Sequence, residues 1–179
     1  MIDGAGVSLN GNAGTDTLTI NASAAANLDV TELAGVLAWE TWTLGSNQAY
    51  TLTLQDNNIA ASATLTIDAS ALTTAAATVS AAAVSAAGVR LNYTGGGGAD
   101  ILTVTAAMIN GGAPTLDGNA GTDELRISAT AAVNLDATEL ANGADWETWT
   151  LQSNQATTLT LANANIAASA TLLIDASAL

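Results

Sequence analysis

The stretch Tyr50–Leu72 reads YTLTLQDNNIAASATLTIDASAL. Two alternating segments, TLTL (Thr51–Leu54) and TLTI (Thr64–Ile67), frame a run of Asn, Asp, Ala and Ser. Alternation of period two marks a half-buried strand, and the polar run between is turn-forming. Parity is consistent: Leu52, Leu54, Leu65 and Ile67 face one way and the threonines the other. The same alternation recurs at Thr17–Ile20, Thr41–Leu44, Leu91–Tyr93, Leu102–Val104, Leu125–Ile127, Thr148–Leu151 and Thr158–Leu161. The sequence therefore predicts many short strands joined by tight connections.

The stretch also repeats. Asn58–Leu72 returns at Asn165–Leu179 with one change, Thr66 to Leu173. GNAGTD at Gly11–Asp16 returns at Gly118–Asp123, and WETWTL at Trp39–Leu44 returns at Trp146–Leu151. The offset is 107 residues, and about 50 of the 72 paired positions are identical. A fixed period is the signature of arrays and solenoids. Two units are expected, residues 1–107 and a truncated 108–179, joined in one continuous solenoid. Met1 aligns with Met108, so the start is expected to fall inside a repeat, and Thr73–Ala107 has no second copy. A sandwich of short strands would alternate in the same way. The tandem repeat and the small corner residues favour an all-β, right-handed parallel β-solenoid of about seven to eight coils, with Leu and Ile inside and threonine ladders outside. Nine strand-like segments per repeat suit three sides, or two sides with a half-turn per repeat. Asn27–Ala38 reads as a helical turn or a wide corner. Thr73–Ala87 reads as a small-residue strand or an irregular excursion.

Composition narrows the partners. Sixteen acids face only Arg90 and Arg126, for a formal charge of −14, and there is no Lys, His, Cys or Phe. Such a chain cannot neutralise phosphates, so neither nucleic acid nor an anionic membrane surface is expected as a partner. Divalent cations suit it better. Without cysteine there are no disulfides or thiolate metal sites. Without His, Cys or Lys the usual bases and nucleophiles are missing, so no enzyme is expected. No run of eighteen strongly apolar residues suggests membrane insertion.

One segment carries possible chemistry. Gly95–Thr103 reads GGGGADILT, with Gly95, Gly96, Gly98, Asp100 and Leu102 at the fixed positions of the pattern G-G-x-G-x-D-x-U-x. Glycines permit left-handed turns, and an aspartate adds a hard oxygen that suits calcium. Gly118–Arg126, GNAGTDELR, matches with Asn119 in place of the second glycine, and supplies Gly118, Gly121 and Asp123. Asp100 and Asp123 are 23 residues apart, one coil by the strand spacing. That spacing predicts stacked turns sharing one cation, with Asp16 of the first copy as a half site. The other reading is of glycine-rich turns in which each aspartate caps its own backbone.

The nonapeptide, with the strands and the WETWTL segment around it, resembles repeat regions of bacterial RTX or haemolysin-type calcium-binding secreted proteins and adhesins. The resemblance implies calcium as the bound ion and calcium-dependent folding outside the cell. It also implies a role as stalk, filament, surface layer or adhesin spacer at the bacterial cell surface. The long tandem nonapeptide runs of that family are missing.

Three further expectations follow. Trp42 and Trp149 share the inward parity of Leu44 and Leu151 and read as core, whereas Trp39 and Trp146 are candidate glycan-binding residues. The outward Thr-x-Thr pairs resemble ice-binding ladders in pattern, with Glu124, Arg90, Arg126 and Leu173 interrupting them. Near-identical repeats with open strand edges predict end-to-end self-association between neighbouring repeats or chains.

Overall fold

The computed structural model describes residues 8–166 and 170–179. Seventeen short strands follow one another: β1 (Leu9–Asn10), β2 (Thr17–Ile20), β3 (Ala26–Leu28), β4 (Val36–Leu37), β5 (Thr41–Leu44), β6 (Tyr50–Thr53), β7 (Thr64–Asp68), β8 (Ala77–Ser80) and β9 (Arg90–Thr94). The series continues with β10 (Ile101–Thr105), β11 (Leu116–Asp117), β12 (Glu124–Ser128), β13 (Val133–Leu135), β14 (Gly143–Ala144), β15 (Thr148–Leu151), β16 (Thr157–Leu159) and β17 (Leu173–Asp175). The one α-helix among the described residues is the four-residue α1, Ala106–Ile109. Among the described residues every strand pairing is parallel. The chain is a parallel β-solenoid of about seven turns.

Two sides of the coil are continuous sheets. One stacks β2-β5-β7-β9-β11-β14 and the other β3-β6-β8-β10-β12-β15-β17. The third side is interrupted: the pair β1-β4, the 3-10 turn Asp56–Asn58, the connection from β8 to β9, α1, and the pair β13-β16. Coil length varies with what the third side carries. Tyr93 lies over Leu116, 23 residues on, and Leu116 over Gly143, 27 on.

The 107-residue repeat is not a whole number of these coils. From β2, four coils lead through β5, β7 and β9 to β11, and the copy of β2 is β12, one side further on. Each element of the second repeat therefore occupies the next side of the solenoid. The copies of β2, β5 and β7 are β12, β15 and β17, which moved from the first sheet to the second. The copies of β3 and β6 are β13 and β16, now on the third side. The ladders run through the junction at residue 107 without a break, since β10 pairs with β8 before it and β12 after it.

The core follows the parity of the sequence. In β5 and β15, both TWTL, the tryptophan and leucine are buried and the threonines half-exposed. Trp42, Leu44, Leu52, Leu54, Ile67, Leu125 and Trp149 have no exposed surface. Asn27–Ala38 holds the expected helical turn, a 3-10 turn at Leu33–Gly35, but also two strands the alternation did not reveal, β3 and β4. Thr73–Ala87 contributes β8, an interior strand whose Ala77 and Val79 are buried in the core. Two buried asparagines tie coils together. Asn58 Nδ2 donates to the carbonyls of Leu33 (2.8 Å) and Val36 (3.0 Å), and its copy Asn165 donates to those of Leu140 (2.6 Å) and Gly143 (2.7 Å).

Truncation should divide along this parity. Leu52→Ala, at a fully buried position, is expected to cost about 2–5 kcal/mol in urea unfolding. Exposed Thr51→Ala beside it should stay within about 0.5 kcal/mol.

Candidate functional site

The turns 95–100 and 118–123 stack one coil apart at the corner between the two long sheets. Strands of the second sheet begin there, and the N–H groups at their starts need acceptors from the neighbouring coil. Carboxylates supply them in a column. Ala77 N–H donates to Asp100 Oδ1 (2.7 Å), Asp100 N–H to Asp123 Oδ1 (2.7 Å) and Asp123 N–H to Glu147 Oε2 (2.6 Å). In the first repeat, Asp16 N–H donates likewise to Glu40 Oε2 (2.8 Å). Asp100 and Asp123 are 0% and 1% exposed, so these are buried hydrogen bonds.

The second oxygen separates the two turn types. Asp100 Oδ2 accepts from Gly96 N–H (2.7 Å) and Tyr93 OH (3.1 Å), so this carboxylate is filled. Asp123 Oδ2 and Asp16 Oδ2 are buried without a partner. The cause is the asparagine that replaces the second glycine. Asn119 has φ of 65° and its N–H donates to Asp117 Oδ1 (2.8 Å). Asn12 has φ of 66° and its N–H donates to Asn10 Oδ1 (2.9 Å). Neither amide turns back to the aspartate as Gly96 does.

Glycine shapes the space around the free oxygen. A Cβ on Gly118 would lie 2.2 Å from the Asp145 carbonyl oxygen and 3.1 Å from Asp123 Oδ2; one on Gly11 would lie 2.2 Å from the Ala38 carbonyl oxygen and 3.1 Å from Asp16 Oδ2. In each GNAGTD turn the first glycine thus lies between an unpartnered carboxylate oxygen and a main-chain carbonyl of the next coil, both within reach of where its Cβ would be. Hard oxygen donors of this kind fit calcium. Among the described residues no group of three acidic side chains is arranged to hold a metal ion, so carbonyls would have to complete the shell. The Gly95 turn is packed more tightly. Gly96, Gly97 and Gly98 lie against the carbonyls of Leu72, Thr73 and Ala75, where a Cβ would come within 2.4, 2.3 and 2.3 Å. Gly121 meets the Gly98 carbonyl in the same way. Close backbone stacking alone requires these glycines.

The corner's electrostatics follow from burial and crowding. Burial, then the charges of Asp100, Glu147 and Asp145, push the Asp123 carboxyl up to about 7. Burial and the adjacent Asp100 raise the Tyr93 phenol. The arginines act elsewhere. Arg126 pairs with Glu124 on the outer face (2.7 Å), and Arg90 holds the carbonyls of Ala107 and Asn110 at the ends of α1. The Arg126 bond, with the Thr150 hydroxyl, keeps the Glu124 carboxyl below its usual range.

The other candidates are placed as follows. Trp146 is core, 3% exposed, with its Nε1 donating to the Leu116 carbonyl (2.9 Å) and its ring 6.1 Å from that of Tyr93. Trp39 is half-buried, donating to the Leu9 carbonyl (3.2 Å). The two do not form an exposed pair. On the first sheet Thr17 and Thr19 stack on Thr41 and Thr43, but the next coils present Thr66 and Asp68, then Asn92 and Thr94. Sequence reasoning missed Glu40 and Glu147, whose signal was the glutamate kept in both WETWTL copies.

Comparison with protein-family models, with curated proteins and with solved structures finds no match. The resemblance to RTX repeats therefore rests on the motif residues alone.

The raised Asp123 carboxyl has a pH consequence. Its folded value, about 7, lies above the unfolded value of about 3.9. Between these the native state holds the extra proton, so its contribution is complete below about pH 4 and lost as pH rises through about 7. In chelator, the difference in melting temperature between the parent and Asp123→Asn should change across that window and flatten above it. A pH-independent difference would mean that Asp123 titrates normally.

Proposed function

We propose that this chain is a structural, non-catalytic segment of an extracellular bacterial repeat protein, a spacer in a filament, stalk, surface layer or adhesin, stiffened by calcium. The observation that carries the reading is the unbroken strand ladder across the repeat junction. A unit that closes on four coils and one side joins to its copy with no special interface, as a spacer requires. Absence of the usual catalytic bases and nucleophiles supports the non-catalytic part. Calcium is supported by the unpartnered oxygens Asp123 Oδ2 and Asp16 Oδ2, each with a glycine between it and the carbonyl of Asp145 or Ala38. The high negative charge agrees with a calcium-rich medium outside the cell.

Ice binding is a second reading, favoured by the stacked Thr17/Thr19 and Thr41/Thr43 pairs. It is weaker, because the ladder changes residue type at Asp68 and Asn92. Glycan binding by Trp39 and Trp146 has no comparable support.

A thermal melt by far-UV circular dichroism, in calcium and in excess chelator, tests the proposal. A site filled at a hundred times its dissociation constant adds about 2.7 kcal/mol. The midpoint should rise with calcium, Asp100→Ala should keep most of the rise, and Asp16→Ala with Asp123→Ala should abolish it. Identical melts in calcium and chelator would overturn the calcium part.

A further inference from the structure

The last coil exposes residues that the first repeat buries. Ile59 is 2% exposed, Ile67 0% and Leu72 0%, whereas their copies Ile166, Ile174 and Leu179 are 41%, 39% and 48% exposed. The first three lie beneath the coil that follows them. Strand β9 covers β7, with Leu65 paired to Leu91, Ile67 to Tyr93 and Asp68 to Thr94. At the neighbouring corner the run Gly96–Gly98 sits on the carbonyls of Leu72, Thr73 and Ala75, closer than any side chain would allow. Resting on the array reading above, we infer that the last coil is an acceptor surface for one more coil with the sequence pattern of Thr73–Ala107.

The acceptor is already in the shape that the first repeat presents. Asp68 Oδ1 accepts the Ser70 N–H (3.0 Å), and Asp175 Oδ1 accepts the Ser177 N–H (2.9 Å), so the DASAL corner is folded alike in both copies. Leu173 N–H donates back to the Glu147 carbonyl, as Thr66 N–H does to Glu40. Successive amides of a strand point to opposite sides. The Ile174 N–H therefore faces the open edge, where Ile67 meets β9. An extended strand adds to such an edge by main-chain bonds, with side-chain pockets selecting the partner.

The repeat register specifies the partner further. Its strand equivalent to β9 lies on the β17 edge, on the second sheet. Its leucine covers Leu172 and its tyrosine covers Ile174. Glycine at the position of Gly96 lets its turn settle on Ala176 and Leu179, the copies of Ala69 and Leu72. Selection therefore comes from the absence of side chains at one corner as much as from the apolar cover. Two positions that meet this coil change: Thr66, in register with Asn92, has the copy Leu173. Asp56 in the first repeat accepts the N–H groups of Ser85 and Ala86, and its copy is Asn163.

The test extends the full chain after Leu179 with a second Thr73–Ala107 sequence, alongside a scrambled extension of the same composition. Hydrogen exchange at the Ile174 amide is the readout. The native extension should slow it about tenfold or more relative to the unextended chain, and the scrambled one should not. Gly96→Val, made only in the extension, should abolish the protection. Equal protection by the native, scrambled and valine extensions would overturn the acceptor. Should the extended chain fail to give a β-spectrum, a free Thr73–Ala107 peptide titrated onto the unextended chain decides by the same amide. A calcium-insensitive melt with a protected Ile174 would overturn the calcium reading alone. An unprotected Ile174 with a calcium-dependent melt would overturn the acceptor alone.

Discussion

The fold depends on satisfying backbone N–H groups at corners where one coil passes over the next. Along the sides the parallel ladder does this without help from side chains. At corners the strands end, and the donors of one coil must find acceptors in its neighbour or remain buried and unpaired, at about 1–3 kcal/mol each. The chain meets this with short acids at one-coil spacing: Asp100 under Ala77, Asp123 under Asp100, Glu147 under Asp123. An acid in this position serves as a structural acceptor first. That is why Asp100 and Asp123 tolerate almost complete burial. The same constraint drives glycine into the column, since a coil can approach this closely only where its neighbour has no Cβ.

The side shift follows from the mismatch between a 107-residue repeat and coils of 23 to 27 residues. A sequence element must therefore work in two settings. TWTL serves on the first sheet as β5 and on the second as β15, with tryptophan buried in both. The flanking residues differ where the setting does. Val36 and Leu37 of β4, on the interrupted third side, become Gly143 and Ala144 of β14, on a continuous sheet beneath Leu116 and Asp117. Thr17 and Thr19 become Glu124 and Arg126, which pair with each other across the outer face.

Much of this was legible in the sequence. Alternation gave the strands and their parity because a pleated strand has one inward face, and residues such as Leu52 and Trp149 obey it. The 23-residue spacing of Asp100 and Asp123 gave the stacked turns. The side shift was not legible, because coil length depends on third-side elements such as the Asp56–Asn58 turn, which carry no regular pattern. Nor could spacing show which aspartate keeps a free oxygen. The exchange of Gly96 for Asn119 looks mild as a choice of residue, since both accept unusual backbone angles. Its effect is to redirect one N–H, and only geometry reveals that.

That redirection connects packing to chemistry. In the Gly95 turn a peptide N–H and the Tyr93 hydroxyl already occupy Asp100 Oδ2, so a cation there would have to displace two hydrogen bonds. In the GNAGTD turns Asn119 and Asn12 satisfy their amides locally, and one carboxylate oxygen is left without a hydrogen-bond partner. A proton or a cation can each relieve that oxygen, and the two compete for the same position. The turn that best matches the glycine pattern is thus the one whose aspartate is fully hydrogen-bonded, and the turns that depart from it keep an unpartnered oxygen.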